Sequence, residues 1–183
     1  MSSLEVHRQL VSSAFQQRSA AAPTLWARAP GRVDLMGSHT DYNLGYVLTL
    51  PIGRDTWIAA RPREDHSVRL HSLNLAADAS FQLDRLAGGR DRCWSDYVRG
   101  VAHVLQTESY PLVGYDGVIH STVPIGSGLS SSAALECAAA TVFEFLGGWR
   151  LTPERKAQLC QRAENDFVGV SCGILDQFTS CAG

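Results

Sequence analysis

Residues 115–148, "YDGVIHSTVPIGSGLSSSAALECAAATVFEFLGG", predict a strand, a glycine-rich loop and a helix in succession. The segment "YDGVIHS" is typical of a strand, and Gly147 and Gly148 are expected to end the helix. The inward face of that helix is predicted to carry Leu135, Ala139, Val142, Phe143 and Leu146. A strand that feeds a helix through a glycine-rich loop therefore lies at the centre of the predicted fold.

The segments around this unit predict further strands and helices. Residues 25–83 contain "LWARA", "YVLTLPI", "TWIAARP" and "SVRLHSL", which are short, β-branched or alternating, and separated by turn residues. A helix over residues 4–18 is predicted to bury Leu4, Leu10, Val11, Ala14 and Phe15. Helical spacing returns in "WSDYVRGVAHVLQ", through Trp94 and Tyr97, and over residues 151–169. Early strands and later helices predict one α+β domain over residues 1–183.

Two features of the last third of the chain predict where its elements begin and end. Thr152 is predicted to be the N-cap of the helix that starts near Pro153. The final residues "CGILDQFTSCAG" are apolar and punctuated by glycine, and they are expected to end without a closing helix. This pattern predicts a chain that is cut in mid-fold, because natural termini are usually polar and frayed.

Composition and charge narrow the class of protein. The chain has 183 residues, is 45% hydrophobic and 19% charged, and carries a net charge of −2, which is typical of a globular domain. Such a balance gives no electrostatic basis for binding nucleic acid or a membrane. The five cysteines form no CxxC pair, which favours reduced thiols over a zinc site or disulfides. No signal peptide or membrane-spanning run is evident, so a cytoplasmic location is expected.

The loop "PIGSGLSSSAAL" has the chemistry of a phosphate site. Unpaired N–H groups at a helix start receive phosphate, and Gly126 and Gly128 let a ligand approach the backbone. A P-loop is excluded because it needs a lysine, and Lys156 is the only lysine in the chain. The dinucleotide fingerprint is incomplete because Ser131 takes the place of its third glycine. A plain Gly/Ser turn that caps a helix stays open as the alternative.

Two further segments contain polar residues that suit a ligand site. Asp176 lies in the otherwise apolar "ILDQF", so its carboxylate is either paired or directed into a cleft, and Arg32 is its candidate partner. The alternative for Asp176 is a helix N-cap. His39 and Asp41, in "GSHTDYN", offer groups that bind sugar hydroxyls, and the alternative there is an Asx-type turn.

Three segments taken together resemble the galactokinase branch of the GHMP kinases. They are "APGRVDLMGSHTDYNLGYVLTLPI", "VPIGSGLSSSAALE" and "AENDFVGVSCGILDQF", which match the sugar signature, the phosphate loop and the acidic segment in that order. The resemblance implies a ribosomal-protein-like β-α-β fold with a mixed sheet and helices on one side. It also implies a sugar signature over about residues 29–52 and an ATP-binding loop over about residues 123–135.

The resemblance implies transfer of the γ-phosphate of ATP to the anomeric hydroxyl of D-galactose, with Mg²⁺ as the metal ion. The implied catalytic residues are Asp176 and Arg32. The implied sugar-binding residues are Arg32, Ser38, His39, Asp41, Gly173 and Asp176. The implied nucleotide-binding residues are Gly126, Ser127, Gly128, Leu129, Ser130, Ser131 and Ser132. The implied metal ligands are Ser132 and Glu164.

The sequence departs from the family at Ser38, at Asp34, where asparagine is common, and in its length. Ser38 stands where galactokinases usually have a glutamate that binds a sugar hydroxyl, so a kinase that prefers another sugar is an open interpretation. Family members are about twice as long and have a second domain, so this chain is expected to be the N-terminal domain only and to show little turnover alone. Two further interpretations stay open, namely a non-catalytic sugar sensor and an inactive fragment.

Overall fold

The computed structural model describes residues 3–37, 39–43, 45–86 and 93–183. The strands in this part of the chain are β1 (Leu25–Met36), β2 (Leu48–Pro62), β3 (Ser67–Ser72), β4 (Ala77–Gln82) and β5 (Tyr115–Ser121). The helices are α1 (Ser3–Arg18), α2 (Asp96–Thr107), α3 (Ser131–Gly147), α4 (Pro153–Arg162) and α5 (Leu175–Ala182). A π-helical turn, Ala163–Val168, continues directly from α4.

The strands form one mixed sheet in the order β1-β2-β5-β3-β4. β3 and β5 pair in parallel, and the other neighbours pair antiparallel. The chain runs from β3 through β4 and α2 before it returns to β5, which is the long connection that a parallel pair requires. The predicted α+β class with a mixed sheet is confirmed.

The two faces of the sheet are covered by different helices. On one face Ile58, Ala60 and Ile119 belong to the main core, together with buried residues of α2, α3 and α4. On the other face Val11 and Phe15 of α1 form a second cluster, which they share with Trp57, Ala59 and Val118. β2 needs both covers because residues 55–60 are all buried, and successive side chains of a strand point to opposite faces of the sheet. Helices therefore lie on one side, as expected, except for α1.

Two predicted elements differ from the structure, β1 in its extent and α1 in the residues that it buries. The strand predicted as "LWARA" continues through Met36, so the first part of the sugar signature is a strand and not a loop. The pairing of β1 with β2 shifts register between Pro30 and Arg32, which is typical of a β-bulge beside a site. In α1, Leu4 and Leu10 are exposed, whereas the predicted burial of Val11 and Phe15 is confirmed.

The last third of the chain corrects two expectations. Thr152 caps α4 as predicted, since its hydroxyl accepts a hydrogen bond from the Arg155 N–H at 3.3 Å. The helix predicted over residues 151–169 changes to the π-helical turn after Arg162. The expectation of no closing helix is wrong, because "LDQFTSCA" forms α5. Asp176 lies in the first turn of α5 after its N-cap, Ile174, so the N-cap alternative for Asp176 is wrong too.

The structure gives the state of the cysteines and the character of the described helices. None of the five cysteines takes part in a disulfide. In the part of the chain that the structure describes, no helix combines the length and apolarity needed to cross a membrane.

Burial of a histidine on β5 gives the fold a predicted pH dependence. Burial lowers the pKa of His120, and the nearby His7 lowers it further, while Asp55 opposes the shift. An unfolded chain protonates this residue near pH 6.5, above the folded value. The contribution of His120 to the free energy of unfolding is therefore fully present above about pH 6.5. It is lost as the pH falls through the folded pKa.

We expect the urea midpoint to fall between pH 7.5 and pH 5, and His120→Gln to reduce that fall. The matched control is His66→Gln, since His66 is exposed. Equal pH dependence of His120→Gln and the wild-type chain would contradict the assignment.

Candidate active site

The loop between β5 and α3 has an open backbone. Gly126 and Gly128 both have a φ of 73°, which is strained for other residues. A Cβ added at either glycine would meet no atom within 4 Å. Ser130, which precedes α3, has a φ of 60° and is one of the few residues other than glycine in this conformation. The loop therefore presents backbone, rather than side chains, at the start of α3.

Buried hydroxyl chemistry accompanies this backbone. The Oγ atom of Ser130 is buried and has no hydrogen-bond partner. An unsatisfied buried hydroxyl is costly unless a ligand or water completes it. Ser131 and Ser132 begin α3, where backbone N–H groups are unpaired and favour an anion. This combination fits the phosphates of a nucleotide.

Arg32 connects this loop to α5. Its Nε donates to Oδ1 of Asp176 at 2.8 Å, and its Nη1 donates to the carbonyl oxygen of Gly128 at 2.6 Å. The backbone N–H of Arg32 also donates to the carbonyl oxygen of Leu129 at 3.2 Å. The structure therefore brings together the two residues that the sequence suggested as partners, although they are 144 positions apart.

The sugar signature contacts the start of α5 through a second carboxylate. Oδ2 of Asp41 accepts a hydrogen bond from the Leu175 N–H at 3.1 Å. Gly173 lies so close that an added Cβ would fall 1.7 Å from that oxygen. Nδ1 of His39 lies 2.9 Å from the Tyr42 hydroxyl, and both residues are exposed. The structure thus joins Asp41 to Gly173, while His39 has its own local partner. Ser38 lies outside the described residues.

An acidic residue occupies the opposite side, on the π-helical turn. Glu164 is buried, and burial raises the pKa of its carboxyl, whereas hydrogen bonds from Ser132, Cys172 and Gln177 oppose the shift. Within the described ranges no group of three His, Cys, Asp or Glu side chains is arranged to hold a metal ion. Mg²⁺ usually keeps waters and phosphate oxygens and takes only one or two protein ligands, so the Ser132–Glu164 pair fits that ion.

These groups share one cavity of about 500 Å³. Its wall includes Arg32, Gly126, Gly128, Ser130, Ser131, Ser132, Glu164 and Asp176 from the predicted set. The other described members of that set, Ser127, Leu129, His39, Asp41 and Gly173, are not part of the wall. Ser127 instead donates its hydroxyl to the Pro124 carbonyl oxygen at 2.8 Å.

Comparison with known proteins finds two family matches in the chain. The family model described as "Galactokinase galactose-binding signature" matches residues 13–62, and that for "GHMP kinases N terminal domain" matches residues 96–183. The chain belongs to the GHMP kinases. Residues 63–95, between the two matches, contain β3 and β4 of the sheet.

Several relatives of this GHMP kinase chain are galactokinases. The galactokinase of Chloroflexus aggregans is 47% identical over 173 residues, which are 94% of this chain and 44% of the relative. That of Thermococcus kodakarensis is 45% identical over 155 residues, which are 85% of this chain and 43% of the relative. The chain thus spans less than half the length of these curated relatives.

Solved structures show the same fold. The galactokinase of Lactococcus lactis, complexed with galactose, superposes with a TM-score of 0.87 at 37% identity, over 95% of this chain and 46% of that one. The mevalonate kinase of Methanococcus jannaschii superposes with a TM-score of 0.72 at 20% identity, over 86% of this chain and 51% of that one. The second likeness concerns the fold alone.

The wall of the 500 Å³ cavity also includes residues that the sequence analysis did not identify as functional. Its apolar wall includes Trp94, Tyr97 and Leu135, which the helical spacing assigned to packing. Gly31 is a second case, because an added Cβ would lie 2.7 Å from the Leu129 carbonyl oxygen. The glycine thus allows β1 to touch the phosphate loop. Gly31 could have been found from its place in the sugar signature, within "PGR". No local feature of the sequence distinguishes a tryptophan that lines a cavity from one that packs in the core.

Proposed function

We propose that this chain carries the active-site half of a galactokinase, which transfers the γ-phosphoryl group of ATP to the anomeric hydroxyl of D-galactose. The observation that carries the proposal is the double contact of Arg32, which holds Asp176 at the acceptor side and Gly128 on the phosphate side. The names of the relatives support the substrate, and the Lactococcus lactis enzyme was solved with galactose bound. The cytoplasmic location and the domain boundaries stay predictions.

Asp176 is the proposed acceptor for the proton of the sugar hydroxyl. Nε and Nη2 of Arg32 both contact Oδ1 of Asp176, so we assign Oδ2 to the anomeric hydroxyl. As the bond from that hydroxyl oxygen to the γ-phosphorus forms, the bond from phosphorus to the ADP oxygen breaks, and the proton passes to Asp176. The guanidinium of Arg32 stabilises charge on the moving phosphoryl group. Phosphoryl transfer depends mainly on such positioning and charge stabilisation.

The phosphate loop and the apolar wall provide the proposed nucleotide site. The phosphates would lie against the backbone and hydroxyls of the loop residues that line the cavity, namely Gly126, Gly128, Ser130, Ser131 and Ser132. The base would pack on Trp94 and Tyr97, since aromatic faces stack well on flat rings. Ser132 and Glu164 would hold Mg²⁺, which supplies charge neutralisation at the phosphates when bound.

The sugar signature provides the proposed galactose site. Asp41 has one oxygen fixed by the Leu175 N–H, which leaves the other for sugar hydroxyls. His39, on the same loop, is the second proposed hydroxyl ligand, and Gly173 gives Asp41 its room. A second candidate is a kinase for another sugar, which Ser38 favours because a neutral hydroxyl replaces the usual carboxylate of the family.

The first experiment measures MgATP binding and sugar-dependent ADP release by this chain over a panel of hexoses and pentoses. We expect slow release with galactose that is absent in Asp176→Ala. Preference for a pentose, reversed by Ser38→Glu, would establish the second candidate. If the chain binds neither MgATP nor any of the sugars, the proposal is refuted.

Gly173→Ala tests the sugar site separately. We expect galactose affinity to fall about 10-fold or more, because the new methyl group displaces Asp41 and removes a charge-assisted hydrogen bond of about 1.5 kcal/mol or more. ATP affinity should stay within about twofold, since the phosphate loop is not touched. Calorimetry with each ligand measures both. Gly53→Ala is the matched control, because an added Cβ there meets no atom within 4 Å.

A further inference from the structure

Behind the Glu164 side of the cavity, an amide side chain lies between two carboxylates. Gln177 of α5 is 0% exposed. Its Nε2 donates to Oε2 of Glu164 at 2.6 Å and to Oε2 of Glu136 at 3.1 Å. Three elements meet at this amide, namely α5, α3 and the π-helical turn. Both hydrogens of the amide are therefore committed.

The contact with Glu164 has a directional consequence. A buried carboxylate is oriented by the donors that it faces, and Oε2 of Glu164 faces the short hydrogen bond from Gln177. The thiol of Cys172 lies 3.5 Å from the same oxygen and is the weaker donor. With Oε2 held by Gln177, the plane of the carboxylate is fixed, and we assign the remaining oxygen to the cavity that Glu164 lines. Ser132 also hydrogen-bonds to this carboxylate.

Glu136 anchors the amide from the other end. It is 0% exposed on α3, and its Oε1 has no hydrogen-bond partner. Burial and the nearby Glu164 raise the pKa of the Glu136 carboxyl well above its usual range. Charged or neutral, Glu136 offers Oε2 as an acceptor at 3.1 Å, and this contact fixes Gln177.

We propose that Gln177 is a positioning residue that aligns Glu164 for the divalent cation of the nucleotide, with Glu136 as its anchor. The inference rests on the proposed function in one respect, that Glu164 binds this cation. Residues that orient metal ligands typically change metal affinity 10- to 100-fold when they are replaced. A purely structural Gln177 would instead affect stability alone.

The test compares ATP affinity in EDTA with ATP affinity in Mg²⁺, by calorimetry, and takes the ratio as the Mg²⁺-dependent gain. We expect Gln177→Met, which keeps the volume and removes both donors, to lower the gain about 10- to 100-fold. Its ATP affinity in EDTA should stay within about twofold of the wild-type value. Glu136→Gln keeps an acceptor for the amide and should retain the gain.

Glu164→Gln separates the two hypotheses. If it keeps the full gain, or if the wild-type chain has none, the cation assignment of the proposed function is wrong and the positioning proposal falls with it. If Glu164→Gln loses the gain while a folded Gln177→Met retains it, only the positioning proposal is overturned. If Gln177→Met fails to fold, the same comparison is made between Glu136→Met, which removes the acceptor for the amide, and Glu136→Gln, which keeps it. Equal Mg²⁺-dependent gains in these two variants would overturn the proposal.

Discussion

Asp176→Asn is expected to lower the rate of phosphoryl transfer to galactose by about 10²- to 10⁴-fold, the range attributed to a positioned proton acceptor. Asparagine keeps the Oδ1 acceptor for Arg32 but replaces the oxygen assigned to the sugar hydroxyl by an NH₂ donor. The affinities for MgATP and galactose should change by less than about threefold, because the volume and the Arg32 contact are preserved.

Single-turnover formation of galactose 1-phosphate, with the chain in excess over ATP, detects transfer even when it is slow. Asp84→Asn is the matched control, because Asp84 is an exposed acid in the short turn after β4 and does not line the cavity. A decrease of less than about tenfold in Asp176→Asn would show that Asp176 is not the proton acceptor.

Lys156→Met is expected to lower the free energy of unfolding by about 3–5 kcal/mol, the usual cost of leaving one partner of a buried ion pair alone. The Nζ of Lys156 on α4 pairs with the Glu144 carboxylate on α3, which is 1% exposed. Oε1 of Glu144 also accepts from the Leu151 N–H at 2.6 Å, so the carboxylate cannot turn away without losing a second bond.

Urea unfolding of a double-mutant cycle measures this effect. The double variant Lys156→Met with Glu144→Gln should recover part of the stability, since glutamine retains the acceptor for Leu151 and carries no charge. If Lys156→Met lowers the free energy of unfolding by less than about 1 kcal/mol, the pair contributes no more than a solvent-exposed salt bridge and the prediction is wrong.

Local pattern was sufficient for the central unit of the fold. The inward residues predicted for α3 are buried or half-buried, and Gly126 and Gly128 have the left-handed conformation that suits a phosphate loop. These features depend on residues that are neighbours in sequence. The Arg32–Asp176 partnership was also predicted, because a carboxylate in an apolar run requires a partner and Arg32 lies in the polar sugar signature.

Other features depend on contacts between distant segments. β1 extends to Met36 because β2 supplies a partner along its length, which the turn-like composition of "PGRVDLM" conceals. The last apolar run forms α5 because it packs between α4 and β1, so tertiary contacts outweigh its glycine-rich start. Gln177 was not marked at all, since a single amide in an apolar run gives no sign of the carboxylates that it faces.

The position of Arg32 has a thermodynamic consequence for ligand binding. One guanidinium contacts both the backbone that would receive nucleotide phosphates and the carboxylate that would receive the sugar. Any shift of Gly128 caused by one ligand therefore changes the surroundings of the other. Linkage requires this influence to be reciprocal: the factor by which ATP alters galactose affinity equals the factor by which galactose alters ATP affinity. Through this one side chain, the affinities for the two ligands are expected to be coupled.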